Sequence, residues 1–186
     1  MRSRRPCIRL TFAGESPPPA EQSVDAAVER YLRAFGPATA ADVRAWSGMR
    51  AVCESVARLR PRLRSYRDAG WRELLDVEDG AFARPGEAAP VRLLGEYDNA
   101  FLGHEDRSRV TGGLAWGWAW ARRGAFLVDG LLAGAWRCPA NGEPDRVELE
   151  AMRRLDDRER RDVEAEAEAL VRFLTGSGAT AQVAWT

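Results

Sequence analysis

Lysine is absent from the 186-residue chain, so all 28 basic side chains are arginines. Isoleucine occurs once, as Ile8, histidine once, as His104, and glutamine twice, as Gln22 and Gln182. An all-arginine complement suits bidentate recognition of phosphate or guanine. A GC-rich coding sequence would produce the same bias and would also account for the scarcity of isoleucine. A lone histidine cannot build a multi-histidine metal site. The three cysteines, Cys7, Cys53 and Cys138, are odd in number, far apart and without a Cys-x-x-Cys pair. They read as isolated reduced thiols, with no metal and no cofactor implied. No apolar run approaches the roughly 18 residues of a membrane span. Behind Arg2, Arg4 and Arg5 there is no apolar stretch of an export signal. A cytoplasmic protein with no membrane partner is expected.

The 28 arginines are balanced by 28 acidic residues, which argues against coating nucleic acid by net charge alone. The distribution is uneven. Arg44, Arg50, Arg58, Arg60, Arg62, Arg64, Arg67 and Arg72 face only Glu54 and Asp68 within their own stretch, while the C-terminal region is acidic.

Residues 1–22 hold a short apolar stretch from Ile8 to Phe12 and a Ser-Pro-Pro-Pro run, and read as an orphan strand followed by a linker. From Val24 the apolar positions Val24, Ala27, Val28, Tyr31, Leu32 and Phe35 follow helical spacing, stopped by Gly36-Pro37. Thr39 with Asp42 forms an approximate capping box for a second helix, with Val43 and Trp46 inward and Ser47-Gly48 at its end. A third helix is expected to carry Val52, Cys53, Val56 and Leu59 on its inner side and Arg50, Glu54, Ser55 and Arg58 on its outer side, up to Pro61. Leu63 to Arg67 then reads as a strand, Asp68-Ala69-Gly70 as a turn, and Trp71 to Val77 as the returning strand. Three helices and a hairpin, in that order, make a winged helix, a variant of the helix-turn-helix that sets its third helix in the major groove. Residues 23–84 are assigned to this domain.

Residues 85–90 form a second linker by their Pro, Gly and Ala content. In residues 91–186 strands are expected at Val91 to Leu94, Trp116 to Trp120, Ala125 to Val128, Leu131 to Arg137, Val147 to Met152 and Ala181 to Trp185. Asp129-Gly130 is a hairpin turn. Asp156 and Glu159 cap a long helix from Asp157 to about Leu174. The fold class is therefore α+β: a winged helix followed by a small β-barrel or curled antiparallel sheet with one long helix. Trp116, Trp118 and Trp120 share a strand face, which either fills the sheet's core or stacks on unpaired bases.

Three stretches carry a family resemblance. They are Arg30 to Thr39 continuing through Asp42-Val43 and Ala45 to Gly48; Val91 to Asn99 followed by His104 and Asp106 to Arg109; and Leu127 to Gly130 with Gly134 to Arg137. On these, the chain resembles the winged-helix DNA-binding proteins related to the bacterial DNA-repair glycosylases that unhook alkylated or crosslinked bases. The resemblance implies tandem winged helices followed by a C-terminal β-barrel. It further implies that active members position the attacking water with a Gln-x-Gln or Gln-x-Asp pair in their N-terminal part. Neither glutamine here begins such a motif. The chain thus resembles a member truncated at its N-terminus, and no catalytic residue carries over.

The expected function is DNA binding without catalysis, with double-stranded DNA held weakly and mainly through phosphates. Candidate DNA contacts are Arg50 and Arg58 on the third helix, Arg64 and Arg67 on the wing, and Asn99 and Arg109 in the motif stretch. An Arg50-Glu54-Arg58 ladder along the helix is the competing explanation for the first two. Asp98, His104, Asp106 and Arg107 are expected to form an internal network that pins the motif loop against the winged helix. Two other readings remain open: an interaction module or remnant without DNA binding, and one half of a split glycosylase acting on N-glycosidic bonds of alkylated bases. A missing or separately encoded N-terminal domain would then be a second partner.

Overall fold

The computed structural model describes residues 20–82, 84, 86–115, 123–139, 145–176 and 181–186. The expected N-terminal strand, Cys7 and the alternating Trp116, Trp118 and Trp120 lie outside the described residues. None of the described helices is long and apolar enough to cross a membrane.

Helix α1, Ala20–Phe35, starts directly after the proline run rather than at Val24. It buries Val28, Tyr31 and Leu32, one stripe of helical spacing. Helix α2, Ala40–Ser47, has the full capping box between Thr39 and Asp42 and ends at Gly48, whose φ of 66° is left-handed. Helix α3, Val52–Leu59, buries Val52, Ser55, Val56 and Leu59. The expected faces of α3 are corrected at three points. Ser55 is fully buried, Cys53 is exposed, and Arg50 lies ahead of the first helical residue. The apolar stripe decides this, because Val52, Val56 and Leu59 at i, i+4 and i+7 place position 55 inside and position 53 outside.

A 3-10 turn over Arg60–Arg62 absorbs Pro61. Strands β1, Leu63–Arg67, and β2, Glu73–Val77, then pair antiparallel. The turn between them extends through Trp71, expected in the strand but found at φ 62°. Ala38, between α1 and α2, bridges Leu75 of β2 in both directions at 2.9 and 2.8 Å. Val28, Tyr31, Leu32, Val43, Val56 and Leu59 pack with Leu75 and Val77 in one core.

The rest of the chain forms a five-stranded sheet in the order β3-β4-β5-β6-β7. Its strands are β3 Arg92–Leu94, β4 Gly124–Val128, β5 Leu131–Arg137, β6 Arg146–Ala151 and β7 Gln182–Trp185. Two short helices, α4 (Asn99–Leu102) and α5 (Ser108–Thr111), occupy the motif stretch, and α6 runs over Asp157–Thr175 with the expected Asp156–Glu159 capping box. All residues of β4 are buried. Phe126 and Val128 pack on one side against Val163, Ala167 and Val171 of α6. Ala125 and Leu127 pack on the other against Phe101 and Leu132.

The chain is α+β, but among the described residues the sheet does not close into a barrel, and it is not purely antiparallel. Strand β7 joins β6 in parallel, as a strand returning through a helical crossover must. Strands β3 and β7 are the two edges of the sheet, and α6 packs across one of its faces.

Candidate nucleic-acid interface

The arginine-rich segment separates into two groups once carboxylates from other elements are in place. Arg58 holds Asp25 of α1 with two nitrogens, at 2.6 and 3.2 Å, and the buried Ser55 hydroxyl donates to the same carboxylate at 2.6 Å. These contacts, Arg58 foremost, hold the Asp25 carboxyl below its ordinary pKa. Arg60 pairs with Glu73, Arg62 with Glu29, and Arg72 with both Asp68 and Asp106. Arg44, Arg50, Arg64 and Arg67 are exposed, and none has a carboxylate within 4.0 Å among the described residues. Arg67 donates instead to the Trp71 carbonyl at 3.0 Å. The structure therefore leaves Arg50, Arg64 and Arg67 available and occupies Arg58 with an internal partner.

The motif stretch is fastened to the helical part through five contacts. Tyr31 Oη donates to the Gly103 carbonyl at 2.5 Å. His104 Nε2 meets the Phe35 carbonyl at 3.1 Å, which assigns its proton to Nε2, and its ring stands edge-on to Phe35 at 89°. The Glu105 N–H donates to Asp42 Oδ1 at 2.8 Å, Arg72 reaches Asp106 Oδ2 at 2.7 Å, and Arg109 donates to the Pro37 carbonyl at 2.7 Å. Within the stretch, Asp98 caps α4 through the Ala100 N–H, and Asp106 accepts from the Ser108 N–H. The hydroxyl and N–H of Ser108, together with Arg72, hold Asp106 down at a pKa of about 2.

His104 and Asp106 make contacts to the helix-hairpin part, whereas among the described residues Asp98 bonds only within its own stretch. Arg109 joins them, tied to a backbone carbonyl rather than standing clear. Arg107 and Asn99 are exposed. They line a cleft of about 510 Å³ with Trp46, Leu102, His104 and Glu105. His104 Nδ1, on the far side of the ring from the Phe35 contact, is buried without a partner among the described residues. Trp46, expected inward, leans on Tyr31 at 5.3 Å and keeps 39% of its surface exposed beside the cleft.

Sequence reasoning missed Asp42 as an anchor for the motif loop and Trp71 as a turn residue. The capping box already accounted for Asp42, so nothing local pointed to its second oxygen. Trp71 follows an Asp-Ala-Gly turn signal and precedes an apolar run, which masked its conformation.

This two-part α+β chain matches a known protein family over residues 3–173. The chain belongs to the AlkZ-like DNA glycosylase family. In fold it is similar to Streptomyces sahachiroi DNA glycosylase AlkZ, with a TM-score of 0.62 and 18% identity over 92% of this chain. That match takes in 48% of the Streptomyces chain, so this protein spans about half its length. No curated protein sequence matches.

Proposed function

We propose that the protein binds double-stranded DNA weakly, mainly through phosphates, by a winged helix made of α1 to α3 and the β1-β2 hairpin, and that it does so without excising bases. One observation carries the reading: in a chain of zero net charge, Arg44, Arg50, Arg64 and Arg67 stay exposed with no carboxylate partner among the described residues, while Arg58, Arg60, Arg62 and Arg72 are paired. Exposed arginines without a bound carboxylate are the ones able to release counterions from a phosphate backbone. The Ala38–Leu75 bridge supports the winged-helix assignment. It is a single-residue bridge between the first two helices and against the hairpin, where a winged helix can carry a short strand.

Residues 23–84 are then the DNA-binding domain, 85–90 a linker, and 91–186 a sheet domain whose motif loop stiffens the first. The cytoplasm is the compartment this reading assigns. Gln22 lies in α1 and Gln182 opens β7, and neither begins a Gln-x-Gln or Gln-x-Asp pair. The reading therefore assigns any base excision on the same DNA to residues other than these 186.

Fluorescence anisotropy over a salt series tests the proposal. Four phosphate contacts give a log-log slope of about −3.6. Arg64→Ala and Arg67→Ala should lower affinity alike for unrelated sequences and shrink the slope by roughly one unit each. Absence of binding at about 20 mM salt, where such contacts are strongest, would overturn it.

A further inference from the structure

Trp71 sits at the tip of the β1-β2 hairpin with 76% of its surface exposed. Its φ of 62° lies in the left-handed region that a bulky side chain rarely adopts. Among the described residues the one other non-glycine at positive φ is Asp129, in an Asp-Gly hairpin turn that tolerates it. A glycine stands next to Trp71, yet Gly70 is not in the left-handed region. The position that glycine would occupy without strain holds the chain's largest kind of side chain instead.

The surroundings keep this conformation in place. The Trp71 N–H donates to the Asp68 carbonyl at 3.0 Å and the Asp68 N–H to the Arg72 carbonyl at 3.1 Å. Arg67 clasps the Trp71 carbonyl at 3.0 Å. Arg72 ties the turn to Asp68 at 2.6 Å and to Asp106 of the motif loop at 2.7 Å. The backbone is fixed through its polar groups while the indole has no aromatic partner among the described residues. Strain that the surroundings maintain around an outward-facing side chain points to use of that side chain. Arg64 and Arg67 on the same hairpin supply charge suited to the phosphates on either side of an exposed base.

We infer that Trp71 is a stacking wedge, which places its indole on an unstacked base where a DNA duplex is interrupted. The inference rests on the DNA-binding reading above. It assigns the hairpin a preference for interrupted over intact duplex, since every base offers a π-face while only an interruption exposes one.

The test compares the full chain on an intact duplex and on the same duplex carrying a two-nucleotide bulge, by anisotropy at low salt, with 2-aminopurine in the bulge reporting stacking. Wild type is expected to favour the bulged duplex by roughly 5- to 100-fold and to change the 2-aminopurine signal. Trp71→Phe should keep most of the preference. Trp71→Gly should abolish it, leave intact-duplex affinity within about twofold, and melt no earlier than wild type because the strained φ becomes free. Equal binding of both duplexes by wild type, a preference that survives in Trp71→Gly, or a change of oligomeric state in that variant would overturn the wedge alone. If neither duplex binds, the DNA-binding reading falls, and the wedge with it.

Discussion

Asp42 joins two helix-capping bonds to a third, long-range one: the carboxylate that completes the capping box of α2 accepts the backbone N–H of Glu105 at 2.8 Å. Oδ2 serves the N–H and hydroxyl of Thr39, both at 2.8 Å, and Oδ1 serves the motif loop. Burial by itself would raise this carboxyl's pKa. The hydrogen bonds from Thr39 and Glu105, with the nearby His104, outweigh burial and hold it below the ordinary value.

Replacing Asp42 with alanine should cost about 2 to 4 kcal/mol, since two backbone N–H groups in a part-buried site lose a charged acceptor. Asp42→Asn should do little better, because its amide nitrogen must face a donor wherever it turns. The depressed pKa means the unfolded state takes up the proton first as pH falls. The contribution is therefore complete above about pH 4 and is lost as pH drops through the lower folded value. Urea melts of wild type and Asp42→Ala at pH 7 and pH 3 should show the gap between them narrowing in acid. A constant gap would show that the carboxylate's charge does not matter.

Asp25 accepts from both Arg58 and the buried Ser55 hydroxyl. Removing this carboxylate by Asp25→Ala should take one partner from the guanidinium and, on the DNA-binding reading, steepen the salt slope by at most about 0.9. It should also cost about 1 kcal/mol in thermal stability as the buried Ser55 hydroxyl loses its acceptor. An unchanged slope would show that Asp25 does not withhold Arg58 from DNA.

Gly124 opens β4 beneath the ring of Trp136, whose Nε1 donates to the Leu94 carbonyl at 2.8 Å. A Cβ at this position would sit 2.1 Å from that nitrogen and 2.4 Å from the carbonyl oxygen, closer than atoms approach. Gly124→Ala should thus push the indole off the β3-β4 edge and destabilise the sheet by about 1 to 3 kcal/mol. Calorimetry and near-UV circular dichroism would register the change, and an unperturbed melt would contradict it.

Incubating the purified chain with alkylated duplex DNA should release no free base above the buffer control, followed by chromatography of the supernatant. Base excision needs a water activated beside a flipped nucleotide, and the chain has no Gln-x-Gln or Gln-x-Asp to position one. Release would place a catalytic group among the residues assigned here to binding or structure.

The chain's short-range signals were readable directly. The capping residues Thr39 and Asp156, the stops at Gly36-Pro37 and Gly48, the Asp129-Gly130 turn and the strand Leu131–Arg137 all stand where expected. Each depends on neighbours within about four residues, so the sequence contains the whole cause. The inner face of α3 was partly misjudged. A buried serine is acceptable only once Asp25 arrives from another helix to receive its hydroxyl.

By itself, then, the sequence determined the four longer helices, the order of the strands around them and the supply of arginines, but not the short helices α4 and α5. Tertiary structure decided which of those arginines stay unpaired, because Asp25, Glu29 and Asp106 come from elements 33 or 34 positions away in the chain, where pattern gives no distance. It also decided that β7 joins β6 in parallel after the α6 crossover, and that β3 and β7 remain the sheet's edges among the described residues. The left-handed Trp71 belongs to the same class: its conformation is held by Asp68, Arg67 and the bridge of Arg72 to Asp106, and the last of these exists only once the motif loop has docked.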